Sequence, residues 1–166
     1  MKRLYIIRHA KSSWKDLNLN DYSRPLNKRG KKDAPFMGKI LNKNGVFPDI
    51  IISSPALRAK TTAQSIAKEI RFTKPLVYDE QIYEADLNTL LQLLLKLKKK
   101  DNTVFIIGHN PGLNTLADYF VEFNENIPTC GVVELEFDCK KWDNISSKNA
   151  KLISFDYPKK HTSQEK

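Results

Sequence analysis

The sequence is poor in the residues that usually announce a metal or a disulfide framework: it has two cysteines and three histidines among 166 residues. Cys130 and Cys139 are too few for a disulfide scaffold, and no CxxC pair offers zinc spacing. They read as reduced thiols of a cytoplasmic protein. No HxxxH or HxH pair is present, so no metal and no cofactor are expected. Long apolar runs are also missing. The longest, around Leu4–Ile7 and Leu93–Leu95, fall far short of the ~20 residues a membrane helix needs, so no membrane association is expected. Met1-Lys2-Arg3 leads straight into a strand-like run, which argues against a signal peptide. Internal repeats and Gly/Ser/Pro-rich linkers are absent too.

What remains is a soluble globular composition, with 40% apolar and 28% charged residues. The length suits one domain, expected over residues 1–157, with a full core. The polar residues 158–166, including His161, read as a flexible tail. The formal charge is +9, and it is uneven. Residues 1–83 carry 17 basic and 7 acidic side chains, against 11 and 12 in residues 84–166. The N-terminal half therefore favours anionic partners: phosphate groups, nucleic acid or an acidic protein.

Along the chain, strand-like and helix-like segments alternate. Strands are expected at 3–7, 49–52, 76–78 and 103–107, a half-exposed strand at 132–137 and a last one at 151–155. Helices are expected at 30–43, from Pro55 to about Ile70, over 87–100 and from Pro111 to about Phe123. Pro55 and Pro111 suit a first helical turn, where the missing N–H costs nothing. The lysines at 96–100 suit the negative end of a helix dipole. This pattern predicts an α/β domain, a three-layer αβα sandwich with a largely parallel central sheet. Ligands of such sheets bind beyond the carboxyl ends of the strands.

Those ends carry an unusual set of side chains. The first strand runs into Arg8-His9-Ala10. The second runs into Ser53-Ser54-Pro55-Ala56-Leu57-Arg58. The 103–107 strand runs into Gly108-His109-Asn110-Pro111-Gly112. If these strands are parallel neighbours, Arg8, His9, Arg58 and His109 converge. Groups of like charge repel unless an anion joins them, and the arginine fork matches phosphate oxygens. The set reads as a phosphate pocket with a histidine placed for in-line attack. Taken singly, each residue has a plainer reading as a solvated loop or helix residue; the shared position at strand ends decides. Nucleic-acid binding, prompted by the charge, finds no RNP-like aromatics, zinc finger or basic helix, and is not expected.

Beyond this pocket pattern, the chain resembles the histidine phosphatase superfamily, with its phosphoglycerate-mutase-like fold, and within it the short SixA-like phosphohistidine phosphatase branch. The resemblance rests on Arg8-His9-Ala10-Lys11-Ser12, Arg24-Pro25-Leu26 with Gly30, Ser53 to Arg58 followed by Thr62, Tyr83-Glu84-Ala85, and Gly108 to Gly112. It implies that His9 becomes phosphorylated, that Arg8, Arg58 and a protonated His109 complete the phosphate pocket, that Ser12 touches the phosphate, and that Glu84 donates a proton. Ala10 departs from the glycine common after that histidine. Lys15 replaces an asparagine of mutase-like members, which argues against mutase activity. The implied reaction is phosphoryl transfer to His9 followed by hydrolysis. The implied partner is a phosphohistidine protein, or alternatively a small phosphate ester; no oligomeric state follows. Two readings stay open. Glu84, Asp86 or Asn88 could cap the following helix. The basic stretch Asn27–Lys32 is either a solvated helix start or a docking surface for an acidic protein.

Overall fold

A computed structural model describes residues 1–162. Its strands are β1 (Lys2–Arg8), β2 (Ile50–Ser53), β3 (Val77–Tyr78), β4 (Thr103–Gly108), β5 (Val132–Phe137) and β6 (Ala150–Asp156). Its helices are α1 (Lys28–Lys43), α2 (Leu57–Glu69), α3 (Leu87–Leu95), α4 (Gly112–Val121) and the short α5 (Pro158–Thr162). The strands form one sheet in the order β3-β2-β4-β1-β5-β6. β1 to β4 run parallel, β5 is antiparallel to β1, and β6 is antiparallel to β5. The sheet is thus largely parallel, as expected.

Side chains alternate across a strand, and here both faces are buried. Leu4, Ile6, Val104 and Ile106 pack with Leu90, Leu94, Leu113 and Leu116 of α3 and α4. Tyr5, Ile7, Phe105 and Ile107 pack with Met37, Leu41, Ala63 and Ile66 of α1 and α2. Two apolar layers enclosing the sheet give the three-layer sandwich. Each fully buried aliphatic side chain contributes roughly 1.5–3 kcal/mol. No helix among the described residues is long and apolar enough to cross a membrane.

Three expectations change. β5 is buried along most of its length rather than half exposed, because Val133, Leu135 and Phe137 join the α3/α4 layer and Val132 joins the α1/α2 layer. Its Glu134 is only 8% exposed, and it is compensated by Arg3 at 2.9 Å and by the Ser154 hydroxyl at 2.9 Å. α3 stops at Leu95 rather than Lys100. The next turns bend the chain back into β4, and Lys2 Nζ takes the Lys99 carbonyl. Residues 158–162, expected in a flexible tail, form α5. His161 Nε2 lies 2.7 Å from Asp156 Oδ1, and its ring meets Phe36 edge-on. The remaining part of that expected tail, 163–166, lies outside the described residues. Cys130 and Cys139 are both free thiols.

Candidate active site

Strand register builds the site. β1 pairs with β4 so that Arg8 faces Gly108, and β2 pairs with β4 so that Ser53 faces Ile107. The ladder continues one residue further: His9 N–H donates to the Gly108 carbonyl at 3.0 Å and Ser54 N–H to the Ile107 carbonyl at 2.9 Å. His9, Ser54 and His109 therefore leave the sheet at one level. α2 starts three residues beyond Ser54 and carries Arg58 in its first turn. Its Thr62 hydroxyl accepts the Ala10 N–H at 2.9 Å, tying the helix to the loop after His9.

Arg8, His9, Ser12, Arg58 and His109 line one pocket of about 200 Å³, with Lys11 and Arg24 beside them. The His9 and His109 rings lie 5.1 Å apart between centroids. Gly30 in α1 keeps the loop close: a Cβ there would sit 2.1 Å from the Lys11 carbonyl oxygen. Any side chain would push α1 off the segment that shapes the pocket.

His9 is 7% exposed, and its Nδ1 lies 2.7 Å from the Ala10 carbonyl. A carbonyl only accepts, so Nδ1 carries the proton and neutral Nε2 keeps its lone pair. Burial lowers the proton affinity of His9, against the opposing pull of the Ala10 carbonyl, and His109, Arg58 and Arg8 lower it further, to a pKa of about 3. His109 behaves alike. Burial and Arg58 depress it to about 4, although Asp21 pulls the other way. Burial and Arg58 thus favour the neutral form of His109 in the protein's own field, whereas the protonated form expected is the one that faces a bound phosphate. Its Nε2 lies 2.8 Å from the Ser54 hydroxyl, while its buried Nδ1 has no partner among the described residues. Arg8 donates one Nη1 bond, to the Ile127 carbonyl at 3.0 Å, and its buried Nε has no partner there either. A guanidinium N–H left this way in a cationic pocket suits an oxyanion.

Several residues escaped the sequence reading as site members. Asp21 accepts from Arg58 Nη2 at 2.9 Å, Arg24 Nη1 at 3.0 Å and the Tyr83 hydroxyl at 2.6 Å. These donors hold its carboxyl well below the usual range, and Tyr83 is pushed up to about 12, first by the bond to Asp21. Arg24 also donates to the Ser12 hydroxyl and stacks on the Trp14 ring at 3.2 Å. Arg24 and Tyr83 stood inside quoted motifs without a role. Ser54 likewise stood in the strand-end run without a role, and Asp21 gave no sequence signal, because its partners are distant in the chain.

Glu84 lies apart from the phosphate-sized pocket. It lines an adjoining cleft of about 560 Å³ that shares Arg58 and His109 and is walled by Tyr83, Leu87 and Pro111. Its backbone is left-handed, with φ 58°. Gly112 lets that loop pass, since a Cβ there would meet the Ala85 carbonyl at 2.6 Å. The helix cap is Asp86, whose carboxylate accepts the Thr89 N–H at 2.9 Å. Glu84 is therefore free of the capping role. Among the described residues, no three His, Cys, Asp or Glu side chains gather as a metal-binding group.

A model of the histidine phosphatase superfamily (branch 1) matches residues 4–101, which hold Arg8, His9, Arg58 and Glu84. The chain belongs to the histidine phosphatase superfamily. His109 lies beyond the matched segment, and tertiary structure brings it into the pocket. A chloroplastic protein of Arabidopsis thaliana is 31% identical over 151 residues, 86% of this chain and 69% of that protein. A SixA structure from Agrobacterium tumefaciens, assigned as a phosphohistidine phosphatase, is 26% identical, with TM-score 0.82 over 95% of this chain and 98% of that one. The protein histidine phosphatase SixA complexed with tungstate shares the fold at 18% identity, with TM-score 0.83 over 96% and 99% of the two chains. This histidine phosphatase thus falls in the SixA-like branch, with the phosphoglycerate-mutase-like fold.

Proposed function

We propose that this histidine phosphatase hydrolyses phosphohistidine on proteins through a phosphorylated His9. The observation that carries the reading is the neutral His9, fixed through Nδ1 to the Ala10 carbonyl inside a pocket of arginines. The His9 Nε2 lone pair attacks phosphorus as the bond from phosphorus to the leaving nitrogen breaks. Water then attacks the phosphorylated His9, the Nε2–P bond breaks, and inorganic phosphate leaves. Phosphoryl transfer asks mainly for positioning and charge stabilisation. Arg8, Arg58 and Ser12 hold the equatorial oxygens. His109 gains a proton as the dianion arrives, because a nearby opposite charge favours its charged form. Glu84, in the cleft on the leaving-group side, delivers a proton to the departing atom.

The protein substrate follows from the chain's economy. Between Arg58 and Glu84 it spends its residues on α2, β3 and a 3₁₀ turn, and between Glu84 and His109 on α3 and β4. Among the described residues, neither interval holds a further inserted helix or strand. The alternative, a small-molecule phosphomonoesterase, draws support from the cleft of about 560 Å³, a size that holds small ligands. Comparing kcat/KM on a phosphohistidine protein, sugar phosphates, nucleotides and phosphorylated amino acids separates the two. The phosphohistidine protein is expected to lead; one metabolite faster by orders of magnitude would overturn the assignment.

A further inference from the structure

The phosphate pocket has two flanks of opposite charge. On the cleft side stand Glu84 and Asp86, beside Asp21, whose carboxylate is paired to Arg58 and Arg24. On the other side a groove of about 300 Å³ is lined by Arg8, Lys11, Arg29, Thr129, Tyr157 and Lys159, and none of its lining residues is acidic. The groove shares Arg8, Lys11 and Thr129 with the phosphate pocket, so the two are continuous. Among the described residues, Arg29 is paired within its own helix to Asp33 at 3.2 Å, while no ion pair is formed by Lys11 or Lys159. Lys159 reaches the groove because α5 folds back there rather than trailing away.

We propose that this groove receives a glutamate- or aspartate-bearing segment of the phosphorylated protein, next to the residue that enters the phosphate pocket. The proposal rests on the protein-substrate reading above. Phosphate charge is satisfied inside the pocket by Arg8 and Arg58, so the groove's cations remain for a second anion attached to the same substrate. A carboxylate there fixes the direction of the bound segment, since the opposite flank repels it. Of the basic stretch 27–32, Arg29 is the residue that lines this groove, so the docking surface is narrower than the whole stretch.

The test uses two phosphohistidine peptides that differ only in flanking Glu or Gln residues, a small ester (p-nitrophenyl phosphate), and the Arg29→Ala/Lys159→Ala protein. The wild type is expected to favour the Glu peptide about three- to tenfold in kcat/KM, through KM, with the preference lost in high salt. The double variant should lose that preference while hydrolysing the ester as before. Equal rates on the two peptides, or a preference that survives the double substitution, overturn the proposal. If the double variant folds poorly, Lys159→Glu alone should invert or abolish the preference, and failure to do so counts against it. If the ester is cleaved but neither peptide is, the protein-substrate reading fails. The groove is then judged by inhibition of ester hydrolysis with the unphosphorylated Glu peptide: inhibition sensitive to Arg29 and Lys159 supports it, and none overturns it. Equal inhibition by single-stranded polynucleotide, lost in the same variant, would show a general polyanion site and reject the acidic-segment assignment.

Discussion

Asp21 and Arg58 are joined twice: Arg58 Nη1 donates to the Asp21 main-chain carbonyl at 2.7 Å and Nη2 to its carboxylate at 2.9 Å. The guanidinium of a buried pocket residue is thus set by a residue of a surface 3₁₀ turn. The same carboxylate holds Arg24 and Tyr83. Asp21 touches no reacting atom in the proposed mechanism; it positions the arginines that do.

Asp21→Asn should therefore weaken inhibition by inorganic phosphate and lower kcat/KM about tenfold, the low end for a charge-assisted bond on a half-exposed side chain. Asp21→Glu should recover part of the loss. Tighter phosphate binding by Asp21→Asn would show instead that the carboxylate competes with phosphate for Arg58.

His9→Ala should fold and lose both turnover and covalent labelling by phosphorylated substrate. In the wild type the label should be acid-labile and alkali-stable, as a phosphoramidate is. A label retained in His9→Ala would place the nucleophile elsewhere.

Stability should fall as pH falls. His9 and His109 are neutral in the fold and have pKa values of about 3 and about 4, against an ordinary 6.5. The unfolded chain binds protons first, so their contribution is complete above pH 6.5 and is lost progressively toward those folded values. For deeply buried His9 the loss is on the order of a few kcal/mol. Asp21, depressed below its ordinary value, adds a further loss at still lower pH. Denaturant melts from pH 7.5 to 4 should show the slope, and His9→Asn should flatten it. An identical slope in that variant would mean that His9 is not neutral in the fold.

Glu84→Gln should separate substrate types. An alkoxide leaves poorly without a proton, and general acid help is worth ~10²–10⁴ in rate. An imidazole leaves more readily and can be protonated by solvent. Ester hydrolysis should fall far more than phosphohistidine hydrolysis, with an unchanged melting temperature because Asp86 caps α3. Equal losses on both substrates would reject the leaving-group role.

Much of the fold is legible in the chain because burial on both faces of a parallel strand leaves short apolar runs. Leu4–Ile7 and Val104–Ile107 announce themselves that way, apolar positions at helical spacing mark α1 and α2, and Pro55 and Pro111 stand at the starts of α2 and α4. Element ends are less legible. α3 stops at Leu95 because of where the chain must turn into β4, not because of its own residues. β5 alternates as a half-exposed strand would, yet it is buried because Arg3 and Ser154, distant in the chain, cover Glu134 on its polar face. α5 forms where composition alone suggests a tail.

For the candidate site the division is sharper. Arg8, His9, Arg58 and His109 could be singled out from sequence because each follows a buried strand, and strand ends are where such sheets place ligands. Local order alone decides that much. Their ionisation could not be read: His109 next to phosphate-binding residues suggests a cation, but burial and the arginines of other elements make it neutral. Nor could the Asp21 clamp, the Ser54 contact or the packing of α5 beside α1, where His161 meets Phe36, be read. Each joins residues far apart in the chain, and a contact of that kind exists only once strand register and helix packing have set the distances. Sequence by itself determined which chemical groups stand at the sheet's edge; tertiary structure alone decided which of them meet, and in what state of charge.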